Sequence, residues 1–105
     1  MIYELREYVA VPGAADRLHD RFAEHTFSLF ARHGIDVAGF WTDPADKHYV
    51  VYIVRFPDEA ARSAAWTAFQ SDPKWQRVKQ ASEACGPIVA EMRSRVLAVP
   101  SYWKE

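Results

Sequence analysis

Hydrophobic and polar positions alternate with a period of two at both ends of the chain and in its middle, and with a helical period between. Residues 2–11 (IYELREYVAV) read as a strand, rich in β-branched and aromatic residues and stopped by Pro12-Gly13. One face of it carries Tyr3, Leu5, Glu7 and Val9. The other carries Ile2, Glu4, Arg6 and Tyr8, an unusual succession of apolar, acidic, basic and aromatic side chains. Residues 14–33 have helical spacing: Leu18, Phe22, His25 and Leu29 recur at steps of four, three and four, and Gly34 supplies a left-handed stop. Phe27 and Phe30 lie off that stripe, so the helix is expected to meet more than one surface.

Residues 35–42 (IDVAGFWT) and 48–56 (HYVVYIVRF) read as two strands joined by the turn cluster Asp43-Pro44-Ala45-Asp46, which favours an antiparallel hairpin. Asp58 is placed to cap a helix with a thin seam of Ala61, Ala65 and Phe69. Asp72-Pro73 starts a second helix, expected to run to Cys85 with Trp75, Val78 and Cys85 on related faces. Gly86-Pro87 ends it, and residues 88–98 return to a strand. The order β, α, β, β, α(α), β predicts an α+β domain over residues 1–105: the ferredoxin-like βαββαβ arrangement of a four-stranded antiparallel sheet with helices on one side. The uncovered face needs a partner unless it is polar, and residues 48–56 are apolar on both faces.

A chain of 105 residues, half of them apolar and 14% aromatic, suffices for one core. The net charge of −1, with 13 basic and 14 acidic residues interspersed, gives no reason to expect nucleic acid or an anionic membrane. A small molecule or another protein is the expected partner. Cys85 is the only cysteine, which leaves no intramolecular disulfide. The opening MIYELRE has neither a basic n-region nor an apolar h-region, and no stretch approaches the ~20 apolar residues that span a bilayer. A cytoplasmic protein is expected.

The ordered set of IYELREY, Pro12-Gly13, His33-Gly34, Gly39-Phe40-Trp41-Thr42, YVVYIVRF, Ala65-Trp66 and Asp72-Pro73-Lys74-Trp75 resembles the NIPSNAP family across almost the whole chain. The family often has His, Leu and an aromatic residue in the third strand, where this chain has Tyr52, Ile53 and Val54. The resemblance implies a dimeric α+β barrel, two ferredoxin-like sheets packed face to face. In that setting Glu4 and Arg6 are expected on the uncovered face, inside the barrel, paired near Glu91, Arg93 and Arg95; the alternative is a solvated edge. The wider superfamily includes cofactor-independent monooxygenases, haem-degrading enzymes, isomerases, cyclases and dehydratases, and fold alone does not choose among them.

Candidate chemistry centres on His25. On the apolar stripe it would face the sheet, where desolvation would lower its pKa and suit it to act as a general base; the alternative is a satisfied core histidine. Tyr3, Trp41, Tyr52 and Trp66 are the candidate walls of a pocket for a flat apolar or phenolic ligand, against the plainer reading of core aromatics. His33 suits the negative end of its helix. His19 and His48 are expected at the surface. No metal site is expected, since the histidines lack partners at ligand spacing. His25 and His33 alone would lie some 12 Å apart along a helix. No cofactor is expected either, although one axial histidine suffices for a haem. Two readings remain open: a homodimer that binds a small apolar or aromatic molecule and transforms it as a cofactor-independent monooxygenase, isomerase or cyclase, or a non-catalytic binding or interaction module whose cavity is filled by side chains.

Overall fold

The computed structural model describes residues 1–104. Strand β1 spans Ile2–Ala10, β2 Asp36–Asp43, β3 Asp46–Phe56 and β4 Val89–Ala98. They form one antiparallel sheet in the order β2-β3-β1-β4, with the first strand in the middle. Helix α1 (Ala15–Arg21) runs through a π turn (Phe22–Thr26) into α2 (Phe27–Arg32), while α3 (Glu59–Ser71) and α4 (Pro73–Ser82) join β3 to β4. The fold is the ferredoxin-like α+β arrangement that the element order predicts.

Local chemistry sets the element ends. Asp58 caps α3 by accepting from the Ala61 amide at 2.8 Å, and Asp72 caps α4 by accepting from the Lys74 amide at 2.9 Å, with Pro73 in the first turn. Gly34, at φ 72°, takes the left-handed conformation that closes α2. The hairpin strand β3 begins two residues earlier than its apolar run, because Asp43 and Asp46 still pair across the turn. Helix α4 stops at Ser82, so Cys85 lies beyond it and is exposed, apart from the buried Trp75 and partly buried Val78.

Register assigns the faces. Ile2, Glu4, Arg6 and Tyr8 lie opposite Phe56, Val54, Tyr52 and Val50, and this row faces the helices. Leu18, Phe22, Leu29, Phe30, Ala65, Phe69 and Trp75 close on it from above. Rings interlock through the layer: Phe22 meets Phe40 and Phe30 meets Phe69, each at 5.0 Å between centroids, and Phe69 meets Trp75 at 4.6 Å. The opposite face, with Tyr3, Leu5, Glu7 and Val9 beside Tyr49, Val51, Ile53 and Arg55, carries no helix and stays half-exposed.

Two expectations fail here, for physical reasons. Glu4 and Arg6 belong to the helix-facing row rather than the uncovered one, because on that side Arg62 and Trp66 of α3 donate to Glu4, while the Tyr8 and Tyr52 hydroxyls accept from Arg6. His25 does not face the sheet. The π turn inserts an extra residue, so the inward positions run Leu18, Phe22, Thr26, Leu29 and Phe30, and the Thr26 hydroxyl donates to the Arg21 carbonyl at 3.2 Å. His25 is turned outward with 46% of its side chain exposed.

The ring interlock makes a direct demand on stability. Phe30→Ala, which empties the site between Trp66, Phe69 and Tyr52, should cost about 3–5 kcal/mol by urea denaturation. A loss below about 1 kcal/mol would mean the layer is not packed as described.

Candidate active site between sheet and helices

The central strand puts a carboxylate and a guanidinium under the helix layer, two residues apart on one face. Glu4 is 1% exposed, and a bare carboxylate there would be untenable. It is instead met by three donors. Arg6 Nη1 donates to Oε2 at 2.7 Å, while Arg62 Nη1 and Trp66 Nε1, both from α3, donate to Oε1 at 2.9 Å each. Burial pushes the Glu4 carboxyl up, but the hydrogen bonds from Arg6, Arg62 and Trp66 outweigh it and hold the group below the usual glutamate range. Arg62 in turn grips Glu59 with two bonds of 2.8 Å.

Arg6 spends its remaining edges on phenols. Its Nε donates to the Tyr52 hydroxyl at 2.9 Å and its Nη2 to the Tyr8 hydroxyl at 3.2 Å, and the two hydroxyls lie 2.8 Å apart. The guanidinium stacks over the Trp66 ring at 4.2 Å from its centroid. Burial works against the Arg6 charge, but the phenolic oxygens and Glu4 more than offset it, and its pKa is raised. Burial, with the adjoining Tyr8 oxygen, pushes the Tyr52 phenol well above its ordinary value. Tyr52 is therefore a neutral hydrogen-bonding group at any ordinary pH, not a base.

A cleft opens beside this network. A small cavity of about 60 Å³ lies among Arg6, Tyr8, Phe22, Phe30 and Trp66. It adjoins a larger, open one of about 270 Å³ that shares Arg6, Tyr8, Arg21, Gln70 and Trp75 and is walled by Val89 and Met92 of β4. Arg21, buried from α1, lies over the Trp75 ring at 5.3 Å and donates to Ser82 at 3.2 Å and, at 3.5 Å, to Glu83.

The candidate residues named from the sequence fall in three places. Tyr52 and Trp66 meet in the network just described. Tyr3 and Trp41 lie on the other side of the sheet, in an apolar groove of about 310 Å³ with Ile53, Leu97 and Trp103. Trp41, 53% exposed, folds across Gly39, where an added Cβ would overlap its indole. His25 lines a third, open groove of about 550 Å³ between the first helix and α4, together with Arg17 and Arg77, which no sheet residue reaches. The five residues do not share one pocket.

The other histidines are taken up locally. His33 Nε2 lies 2.7 Å from the Asp72 carboxylate, His19 Nε2 2.8 Å from the Lys47 carbonyl, and His48 Nδ1 2.9 Å from Asp46. The bond to His33, with the Lys74 amide, holds the Asp72 carboxyl below its usual range. Among the described residues no group of three His, Cys, Asp or Glu side chains could hold a metal ion. No histidine lines the cleft beside Tyr8, so a haem held there through an axial histidine does not fit these residues. Arg6, Tyr8 and Arg21 were not among the site residues expected from the sequence. The signal was present in the odd face of the first strand, where Arg6 and Tyr8 follow Glu4 at a spacing of two.

The sequence pattern of the NIPSNAP family matches residues 3–103. The chain belongs to the NIPSNAP family. Among solved structures it is similar to a NIPSNAP domain protein of Burkholderia xenovorans, at a TM-score of 0.83 and 18% identity, with 100% of each chain covered. A NIPSNAP family protein of Agrobacterium tumefaciens superposes at 0.82 with 15% identity, covering 96% of this chain and 94% of that one. SnoaB, a cofactor-independent oxygenase of Streptomyces nogalater, superposes at 0.68 with 16% identity, over 99% and 97%. At such identities the likeness is one of fold. Among curated proteins, none matches this chain in sequence.

Two outcomes follow for Glu4. Glu4→Ala strands Arg6 in the interior and should cost about 3–5 kcal/mol in urea denaturation. Glu4→Gln tests the charge itself. A carboxyl whose folded pKa is depressed stabilises fully above its unfolded value of about 4.3 and loses that contribution as pH falls through the folded value. The stability gap between wild type and Glu4→Gln should be constant above about pH 5 and shrink below it; a gap unchanged down to pH 3 would refute the account.

Proposed function

We propose that this NIPSNAP protein works as a homodimer, its open sheet faces packed together as a barrel, and that each subunit binds a small apolar or aromatic molecule between its own sheet and helices. The observation that carries this reading is the cleft itself: a hydrogen-bonded Arg6–Tyr8–Tyr52 set, more polar than packing requires, meets an apolar wall of Trp75, Val89 and Met92. The chemistry that suits it is cofactor-independent. Monooxygenation of an electron-rich phenol, an isomerisation or a cyclisation asks of the protein only that side chains hold a developing oxyanion and pass a proton. The oxygenase fold shared with the Streptomyces nogalater protein supports that class by analogy.

The homodimer is supported by the open face. Leu5, Val9, Val51, Ile53 and Leu97 form a half-exposed apolar patch, and charges of both signs flank it, with Glu7 opposite Arg93 in register. A two-fold axis through such a face can bury the patch and pair the charges. No helix of the described residues is long and apolar enough to cross a membrane, and Cys85 is a free thiol; both suit a cytoplasmic setting. The second reading, a non-catalytic binding or interaction module, is favoured by the inner end of the cleft, where Arg6, Tyr8, Phe30 and Trp66 leave only about 60 Å³, and by Tyr52, which is wholly buried.

Sedimentation velocity and native mass spectrometry test the proposal together. The wild type should run as a dimer and Leu5→Asp, at the centre of the open face, as a folded monomer. A wild-type monomer at micromolar concentration would sink the barrel. Co-purification of a small organic molecule that is lost from Trp75→Ala would support the cleft as its site.

A further inference from the structure

The direction of the hydrogen bonds in the cleft says what kind of ligand it takes. The Tyr52 hydroxyl is wholly buried and accepts from Arg6 Nε at 2.9 Å. Among the described residues its own proton has one acceptor within reach, the Tyr8 oxygen at 2.8 Å. Were Tyr8 the donor instead, the Tyr52 proton would be stranded in the interior without a partner. Tyr52 therefore donates to Tyr8. Arg6 Nη2 also donates to that oxygen, at 3.2 Å, so both acceptor sites of the Tyr8 hydroxyl are used. Its proton points away from the network, and Tyr8 lines both cavities of the cleft.

A second donor faces the same space. Arg21 is more than nine-tenths buried, yet only its Nη1 has hydrogen-bond partners, Ser82 and Glu83; its Nε and Nη2 have none among the described residues. Arg6 is neutralised from behind by Glu4 at 2.7 Å. That leaves Arg21 and Lys79 on the cleft against a single carboxylate, Glu83. Of the remaining walls, Gln70 and Thr26 are polar but uncharged, while Phe22, Phe30, Trp75 and Met92 are apolar.

We propose that the Tyr8 hydroxyl and the Arg21 guanidinium form an oxygen-anion site at the head of the cleft, and that its ligand is a flat apolar molecule bearing one carboxylate or enolate. The proposal rests on the ligand-binding reading above and narrows it to an acid. Arg6 and Tyr52 are positioning residues: they hold the Tyr8 oxygen as a double acceptor, which strengthens it as a donor. In an enolate ligand the same pair would stabilise the anion from which carbon chemistry proceeds.

Calorimetric titration with three probes tests this: naphthoate, its neutral amide naphthamide, and lawsone, a naphthoquinone whose enol is ionised at neutral pH. The wild type should bind at least one of the two anions about tenfold or more tightly than the amide, and the anion preferred identifies carboxylate or enolate as the oxygen read. Tyr8→Phe, which keeps the ring, and Arg21→Gln should each weaken the anion far more than the amide and so erase most of that preference; chemical shifts of the Trp75 indole N–H locate the ligand. The comparison of acid with amide needs no variant, so a misfolded mutant does not block it. Equal binding of anions and amide would overturn the anion site and leave the ligand-binding cleft standing. No binding of any probe at millimolar concentration would overturn both.

Discussion

A carboxylate with no access to water sits on an inner strand of the sheet, and the domain is assembled so as to supply its donors. Glu4 cannot be buried alone, since an uncompensated charge in the interior costs several kcal/mol. Its three hydrogen bonds come from Arg6 on the same strand and from Arg62 and Trp66, one turn apart on α3. Helix α3 can meet those demands only at one height and one rotation over the sheet. Once α3 is fixed, Trp66 and Phe69 set where Phe30 packs, and Phe30 sets the second half of the first helix. A polar contact thus chooses among arrangements that apolar packing alone would leave close in energy.

The two faces of the sheet divide the work. On the helix side, guanidinium, phenols and indole saturate one another and leave a single outward proton and one underused arginine at the cleft. On the open side, aliphatic side chains and charges of both signs form a half-exposed surface that no helix covers. Because every strand alternates, each residue serves one side only, and neighbours such as Arg6 and Glu7 belong to different tasks.

Much of this was legible in the sequence. Period-two segments, the Asp58 and Asp72 caps and the turn residues were enough for all four strands, the helices and their order, and the spacing of short motifs was enough for the family. Alternation also revealed that Glu4, Arg6 and Tyr8 share a face. It carries no information about which face meets the helices, and the assignment of these charges to the open side failed there. Tyr3 and Trp41 were grouped with Tyr52 and Trp66 for a related reason: aromatic character says that a ring is buried or binds something, not on which side of a sheet. His25 was misplaced by the assumption of an uninterrupted 3.6-residue repeat. Nothing in Phe22–Thr26 advertises a wider turn, because the apolar residues fit both repeats almost equally well.

That wider turn also changes how the chain should be compared with its kin. A five-residue π segment in the first helix leaves the two halves of that helix out of phase by one position. A relative with a plain α-helix in the same place would carry one residue fewer. Matching the two without a gap would set its inward side chain against His25 and its outward one against Thr26. Every correspondence from there to Gly34 would be displaced by one, and a residue count through this helix would assign surface histidines to interiors and interior threonines to surfaces.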